Sequence, residues 1–547
     1  MNEAITEQVV RSEFLRALKD ALNYSETENG AVGLKSTLNA CLDMFGSFAA
    51  MRGQDYEEED FVKLFTPAFT EDPKTAFKML FYMRDIRNGQ GVRFGFRAVM
   101  KYLADNIPEL VIANLDNIVE FGRADDLLYL LDTKVKSNVI DWIAYKLEDD
   151  DTKMALGQPI SLLAKWLPSE NASSETTKRY AKIVRSGLTM DAKAYRKMLS
   201  KMRKYLGVTE AYMSGKQWDK INYEAVPSTA MKNYTDAFYR HDETRYEEYL
   251  DKLCEGKAKV NAKALYPVDI IHKVFGLRDS KGVQPKLLNA MWNALPDFYE
   301  GREETGICVV DVSGSMSGLP MEVAISLGMY CADKCRGPFK NHFITFSEHP
   351  QLQEIDGEDI YTKVKNMSNA DWDMNTNLEA VFELILSTVV RNKLSQENLP
   401  KKLYIISDMQ FDQALDGYNA YYGRHSQSDR ATICKKMTFM QEMGLRYKDA
   451  GYELPNIVYW NVRASGSGAM FQETYNGVDC CMVSGYSASL FRAIIEGTTY
   501  ETIEVEDEDG NKTTTVKEHL DPMTIMLNTV NNPRYDCIRL DVIKEEG

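Results

Sequence analysis

The apolar pattern of this 547-residue chain changes once, near Gly301, and this change limits the folds that the chain can adopt. Before Gly301, apolar residues recur at helical spacing, as in the stripe formed by Phe14, Leu15, Leu18 and Leu22. After it, short continuous apolar runs alternate with segments of helical periodicity. Strands that are apolar throughout are typical of parallel sheets with both faces covered. The sequence therefore predicts a helical first part followed by an α/β part.

Proline and glycine separate the predicted helices of the first part into short pieces. A series of short helices without strands is typical of stacked helical hairpins, and we expect an α-helical repeat domain over residues 1–300. We expect a doubly wound α/β domain over residues 301–547. Its predicted strands cover residues 306–311, 341–347, 402–407, 456–462 and 478–483. Residues 500–515 are predicted to form an exposed acidic hairpin or loop, and residues 536–540 a short edge strand.

The charge of the chain is unevenly distributed. The formal net charge is −16, of which residues 301–547 contribute −14 and residues 1–300 only −2. Residues 151–220 carry 14 basic and 6 acidic side chains. The acidic balance therefore does not exclude a polyanionic partner, but it confines the surface for one to the first part of the chain.

Composition also bears on the cellular compartment. We find no stretch near the roughly 20 apolar residues of a membrane helix and no signal peptide at the first residues, so we expect no membrane partner. The nine cysteines are odd in number and scattered, which is typical of reduced thiols in a cytoplasmic protein. Cys331 and Cys335 lie one helical turn apart, but no second pair completes a zinc site, which favours core packing.

A candidate metal site begins in the stretch 307–316, where an apolar run ends in a turn. This turn carries Asp311, Ser313 and Ser315 in the pattern Asp-x-Ser-x-Ser, and a helical segment follows. Alone, the pattern is also typical of an Asx turn or a helix cap. One carboxylate and two hydroxyls at the end of a buried strand would, however, suit Mg²⁺ or Mn²⁺, which prefer oxygen ligands.

Two further segments place oxygens at the same predicted sheet edge, where ligands gather in doubly wound folds. Thr376 precedes a predicted helix, and Asp408 follows the predicted strand 402–407. With the turn at Asp311, these loops resemble the metal-ion-dependent adhesion site of von Willebrand factor A domains. The resemblance implies a von Willebrand factor A (Rossmann-like) domain that binds Mg or Mn. All five family positions match, and they are Asp311, Ser313, Ser315, Thr376 and Asp408.

Two positions depart from that family's pattern. Its Gly-Gly before the threonine is Met374-Asn375 here, and its Asp-Gly after the last ligand strand is Asp408-Met409. A version of the same fold that no longer binds metal is the alternative to a working site.

Residues 76–91 resemble the start of the helical domain of Ro-type (TROVE-like) ring proteins. They are closer to a related domain of unknown function from viruses, phages, plants and fungi. Further similar stretches are 165–170, 195–199, 226–231, 459–462 and 483–487. The resemblance implies a HEAT-like helical repeat joined to a von Willebrand factor A domain, with noncoding or single-stranded RNA bound by the helical part.

The predicted helix over residues 191–206 is the best candidate for that RNA surface. Its apolar stripe would face the core, and six basic side chains would cover much of the remainder. Such a row can neutralise phosphates, although a solvated helix face is the more common outcome for a charge run. Tyr212 and Trp218 would either stack on unpaired bases or pack in the core. The six basic residues are Lys193, Arg196, Lys197, Lys201, Arg203 and Lys204.

Three functions are compatible with these features. The first is a non-catalytic RNA-binding ribonucleoprotein scaffold with a Mg-binding adhesion-type domain. The second is a metal-dependent adaptor that captures an acidic residue of a protein partner, without nucleic acid. The third is a metal-dependent hydrolase, which the sequence disfavours because we find no additional carboxylate or histidine positioned as a base. We therefore expect a protein that is not an enzyme.

Overall fold

The computed structural model describes residues 23–26, 32–52, 56–262, 264–279, 281–299, 302, 306–346, 350–368, 378–409, 439–463, 479–506 and 512–542. The chain forms two compact units, each built from segments that are distant in the sequence. The α/β unit contains residues 1–52, 297–357 and 365–528. The helical unit contains residues 53–296, 358–364 and 529–547. A single division near residue 300 therefore describes neither unit in full.

Helices dominate the first part of the chain, as the apolar periodicity predicts. In chain order, the described α-helices are α1 (Ala40–Ser47), α2 (Glu58–Glu71), α3 (Pro73–Arg84), α4 (Phe94–Asn106), α5 (Pro108–Ala113), α6 (Leu115–Phe121), α7 (Lys136–Ala155), α8 (Leu163–Trp166), α9 (Glu175–Gly187), α10 (Ala192–Tyr205), α11 (Thr209–Ser214), α12 (Ser228–His241), α13 (Glu243–Cys254), α14 (Pro267–Phe275), α15 (Val283–Asn293), α16 (Leu319–Lys334), α17 (Ile360–Ser368), α18 (Leu378–Asn392), α19 (Phe439–Asp449), α20 (Ser489–Gly497) and α21 (Pro522–Val530).

Strands are concentrated in the second part. The described strands are β1 (Tyr24–Glu26), β2 (Val32–Leu34), β3 (Gly306–Asp311), β4 (His342–Phe346), β5 (Gln351–Glu354), β6 (Lys402–Ser407), β7 (Asn456–Asn461), β8 (Cys480–Ser484), β9 (Thr498–Glu506) and β10 (Lys512–Leu520). Six of them form one sheet in the order β5-β4-β3-β6-β7-β8, parallel except for the antiparallel edge strand β5. The prediction of an α/β second part is confirmed.

Local sequence signals explain where several helices of the helical unit begin. Helix α3 starts with Pro73 directly after Asp72, whose carboxylate accepts a hydrogen bond from Thr75 N at 3.0 Å. Proline costs little at this position because its missing N–H would have no helical partner there. Helix α10 begins in a similar way, because the Asp191 carboxylate accepts from Lys193 N and Ala194 N, both at 2.8 Å. Each cap satisfies backbone donors that the first helical turn leaves open.

A chain of buried and half-buried ion pairs lies in the helical unit. Asp126 is 3% exposed and accepts from Arg84 Nε at 2.9 Å and from Arg97 Nε at 2.6 Å. The adjacent carboxylate, that of Asp125, accepts from Arg97 Nη2 at 3.0 Å and from Arg123 Nη2 at 2.7 Å. Arg123 in turn lies over the ring of Trp166, with its guanidinium carbon 4.2 Å from the ring centre. These charges are therefore internal structural partners.

The N-terminal segment closes one end of the sheet in the α/β unit. Ser484, the last residue of β8, donates to the Phe45 carbonyl at 2.8 Å and accepts from Ala49 N at 3.2 Å. Asn461, the last residue of β7, donates to the Gly46 carbonyl at 3.4 Å. Helix α1 and the residues after it thus cover the carboxyl ends of β7 and β8.

Three smaller expectations have clear outcomes. The acidic hairpin is present as the antiparallel pair β9–β10. The prediction of a short strand at residues 536–540 is wrong, because these residues form a turn followed by irregular backbone, which hydrogen-bonds the side chains of Asn114 and Asn117. The eight cysteines in the described part of the chain are free thiols. Within those same residues, no helix is long and apolar enough to cross a membrane.

Candidate functional site

The central strands β3 and β6 are parallel neighbours, and both end at the predicted site. Val310 pairs with Ile406, so Asp311 and Ser407 follow side by side at the carboxyl edge. The chain leaves β3 toward β4 on one side, whereas β7 and β8 follow β6 on the other. This position is the switch point of the sheet, where open α/β folds bind ligands.

Asp311 is fully buried and held by hydrogen bonds on both of its oxygens. Ser407 Oγ donates to Oδ2 at 2.5 Å, and Ser313 N donates to Oδ1 at 2.9 Å. The hydroxyls of Ser313 and Ser315 lie 3.1 Å apart on the turn that follows. Asp311, Ser313 and Ser315 are therefore brought together as the sequence pattern predicts.

Asp408 brings a second carboxylate to this place. It is 4% exposed and directly follows β6. Burial away from water, together with the nearby charge of Asp408, raises the pKa of Asp311 to about 7. Two buried carboxylates that disfavour each other's charge form an environment that a divalent cation would stabilise. We call Asp311, Ser313, Ser315 and Asp408 the oxygen cluster.

The chemistry of the oxygen cluster fits Mg²⁺ or Mn²⁺. It offers two carboxylates and two hydroxyls, all of them hard oxygen donors. In the described ranges, no group of three or more His, Cys, Asp or Glu side chains could hold a metal ion, so a cation here would depend on hydroxyl ligands as well. The fifth predicted ligand, Thr376, lies outside the described residues.

Met409 shows how the turn after Asp408 forms with a residue other than glycine. Its φ of 64° lies in the left-handed region that glycine adopts easily. Its side chain is fully buried in the apolar core beneath the sheet, which offsets part of the conformational cost. Its backbone N–H donates to Ser407 Oγ at 3.1 Å, so the same hydroxyl contacts both Asp311 and this turn. Sequence reasoning missed Ser407, since a serine before the aspartate carries no distinctive signal.

The basic residues predicted to contact RNA lie on α10 in the helical unit. Lys193, Arg196, Lys197, Lys201 and Lys204 are exposed. Lys201 Nζ lies 3.0 Å from the exposed carboxylate of Asp151, a contact worth little in water. The buried face of the helix contains Tyr195, Leu199 and Met202, as predicted. Tyr205, which the same apolar stripe predicts to face the core, is exposed.

Arg203 differs from the other five and does not belong to this exposed row. Its guanidinium donates to the carbonyls of Ala164 and Leu167, both at 2.8 Å, and to Ser169 Oγ at 3.1 Å. Burial lowers its pKa from the ordinary arginine value. Arg203 therefore fixes the loop after α8 to α10, and its guanidinium is already engaged in internal hydrogen bonds.

A cavity of about 610 Å³ lies beside α10. Its lining contains the aromatic rings of Tyr195 and Tyr212 and one carboxylate, that of Glu170. Four cations also line it, namely Arg196, Arg203, Lys204 and Lys220. Trp218, the other aromatic candidate, is stacked on His241 with ring centres 4.5 Å apart, so one of its faces is already covered. The cavity thus places positive charge and one half-buried tyrosine together.

Two family models match the chain, and each describes a domain of unknown function. The DUF7788 model matches residues 305–530, and the DUF2828 model matches residues 27–152 and 170–297. An uncharacterized protein of Acanthamoeba polyphaga mimivirus is 32% identical over 518 residues, which cover 86% of this chain and 85% of the viral protein. The chain belongs to the family of that viral protein. In this DUF2828–DUF7788 chain, the oxygen cluster lies in the DUF7788 match and α10 lies in the DUF2828 match.

Proposed function

We propose that this DUF2828–DUF7788 chain is a non-catalytic ribonucleoprotein scaffold with two binding sites. Its α/β unit would act as a von Willebrand factor A-like domain that holds Mg²⁺ or Mn²⁺, and its HEAT-like helical unit would bind RNA. The observation that carries the proposal is the oxygen cluster at the switch point of the sheet, with two buried carboxylates beside two hydroxyls 3.1 Å apart. A bound cation would supply a positive centre for an oxygen ligand of a partner.

We favour binding over hydrolysis because the polar side chains of this site would already be engaged in holding the cation or in hydrogen bonds. Asp311 and Asp408 are the carboxylates that would hold the cation, and Ser407 is engaged with Asp311. A hydrolytic site would need a further base within hydrogen-bond reach of an attacking water. The chemistry that the cluster supports is therefore capture of a ligand by the cation.

The metal proposal predicts that Asp311→Asn and Asp408→Asn each weaken Mn²⁺ binding by more than about 100-fold. Changes beyond the ligand shell of a metal commonly cost about 10–100-fold, and loss of a charged ligand should cost more. Isothermal titration of the full chain with Mn²⁺ would measure the affinities. Asp449→Asn, which neutralises an exposed aspartate of the same unit, is the matched control. Equal affinities in all four proteins would contradict the site.

RNA binding by the helical unit is supported by a separate observation. Five cations of α10 are exposed, and two of them line the cavity beside the helix. Each phosphate contacted by such a side chain releases a counterion, which makes the affinity depend on salt. This mode requires cations that phosphates can reach from solvent, as the five exposed side chains of α10 are, whereas the Arg203 guanidinium is engaged in internal hydrogen bonds.

The RNA proposal predicts a change in salt dependence. We change Arg196, Lys197, Lys201 and Lys204 together to glutamine. The plot of log affinity against log salt concentration has a negative slope, and the magnitude of this slope should decrease by about 3, since each of the four phosphate contacts to a single strand contributes about 0.7. Fluorescence anisotropy with a labelled single-stranded RNA would measure it. A control with the same charge change replaces four other exposed lysines of the helical unit, namely Lys63, Lys101, Lys252 and Lys286. If both variants lower the slope equally, α10 is not the RNA surface.

A further inference from the structure

Arg463 reaches the oxygen cluster from a different part of the sheet. It lies two residues beyond the end of β7, and its Nη1 donates to the carbonyl oxygen of Ser315 at 2.7 Å. The two residues are 148 positions apart in the sequence, and no motif connects them. This hydrogen bond joins the backbone of the turn that carries Ser313 and Ser315 to the neighbouring loop.

The loop that carries Arg463 is itself fixed to the strands beneath the cluster. Val462 N donates to the Ser407 carbonyl at 3.0 Å, and Arg463 N donates to Asn461 Oδ1 at 3.2 Å. Ser407 also bonds the Asp311 carboxylate through its hydroxyl. The end of β6 therefore connects Asp311 on one side with the Arg463 loop on the other.

Asn461 supports this loop through both atoms of its side-chain amide. The nitrogen donates to the Gly46 carbonyl in α1 at 3.4 Å, and the oxygen accepts from Arg463 N. The N-terminal segment thus belongs to the support of the Arg463 loop.

We infer that Arg463 is a positioning residue for the cation site, because it fixes the backbone of the turn that presents the Ser313 and Ser315 hydroxyls. This inference rests on the proposed function of the oxygen cluster. Residues that orient metal ligands without touching the metal commonly change metal affinity about 10–100-fold when they are replaced. Arg463 donates its hydrogen bond to a backbone carbonyl and not to a ligand side chain. Its removal would therefore change the positions of the ligands but leave every ligand side chain present.

The positive charge of Arg463 makes the inference sharply testable. A guanidinium near a cation repels it, so charge alone predicts that removal of Arg463 tightens metal binding. Positioning of the turn predicts the opposite. The sign of the change in Mn²⁺ affinity therefore decides between the two effects.

The experiment compares Mn²⁺ binding by the full chain with that of Arg463→Ala, Arg463→Gln and Arg463→Lys, using titration calorimetry and the electron paramagnetic resonance line shape of the bound ion. We expect Arg463→Ala to bind Mn²⁺ about tenfold more weakly than the unaltered chain and to give a broadened spectrum. Arg463→Lys should recover part of the lost affinity and part of the original line shape. Arg391→Ala, which removes an exposed arginine of the same unit, should match the unaltered chain.

The outcomes separate the inference from the proposal beneath it. If the unaltered chain binds Mn²⁺ and Arg463→Ala binds it equally or more tightly, the positioning role is overturned and the metal site stands. If the unaltered chain fails to bind Mn²⁺, the proposed function is overturned, and the inference with it. Thermal unfolding of each metal-free variant identifies any that lose the fold, and Arg463→Lys and Arg463→Gln then carry the comparison.

Discussion

Replacing Asp126 with alanine is expected to lower the free energy of unfolding of the helical unit by about 3–5 kcal/mol, since breaking a buried ion pair leaves an uncompensated charge. Asp126 accepts from Arg84 and Arg97, whose side chains are only 2% and 8% exposed. It also accepts from Arg123 N at 3.0 Å. Neither guanidinium can reach water without rearrangement of α3 and α4, which carry them.

Urea denaturation of the full chain, followed by circular dichroism, would measure this loss. Asp116→Ala is the matched control, because Asp116 is 72% exposed and its pair with Lys146 is a surface contact worth less than about 1 kcal/mol. The double variant Arg84→Met with Asp126→Ala should recover part of the loss, because one of the stranded charges is then removed. Equal midpoints for Asp126→Ala and Asp116→Ala would show that the buried network does not stabilise the unit.

The sequence predicts the strands of the large sheet well because their burial is recorded in their own composition. Strand β3 occupies residues 306–311, as the apolar run indicates, and β6 occupies 402–407. Both are buried along their whole length, and the residues between their ends are continuously apolar, as burial on both faces of a sheet favours. The positions of Asp311 and Asp408 follow directly, since each comes at the end of one of these runs.

Contacts between distant segments are not recorded in this way. An apolar stripe shows that a helix face is buried, but it does not show which element covers it. Helix α1 therefore gives no sign that it covers the ends of β7 and β8, although Ser484 and Asn461 bond its backbone. Arg203 and Arg463 read as ordinary surface charges in the sequence, whereas both donate to backbone carbonyls. Local periodicity cannot distinguish these roles.

The last residues of the chain illustrate the same limit and lead to the second large expected effect. Arg534 donates to the Asp85 carboxylate through Nε at 2.5 Å and Nη2 at 3.1 Å, and the Tyr535 hydroxyl donates to it at 3.2 Å. Asp85 is fully buried at the end of α3. The hydrogen bond to Asp85, together with the negative charge of that carboxylate, raises the pKa of Arg534 above the ordinary arginine value. The segment after α21 is thus an integral part of the helical unit.

Two asparagine side chains also form hydrogen bonds with the backbone of this segment. The Asn114 amide donates to the Arg539 carbonyl and accepts from Arg539 N, both at 2.9 Å. Asn117 donates to the Cys537 carbonyl at 2.9 Å. Because these contacts do not involve the Arg534 side chain, they should keep the segment bound when Arg534 is altered, and the Asp85 pair can be tested by itself.

Arg534→Ala is expected to lower the free energy of unfolding of the helical unit by about 3 kcal/mol, because it strands the buried carboxylate of Asp85. Arg539→Ala is the matched control in the same segment, since the Arg539 side chain is 61% exposed and its pair with Asp541 is weak. In a double-mutant cycle, Asp85→Ala and Arg534→Ala should show a coupling energy of about 2 kcal/mol, within the range for charged side chains in direct contact. Additive losses in that cycle would mean that Asp85 is stabilised by its other neighbours and that the C-terminal segment binds through its backbone alone.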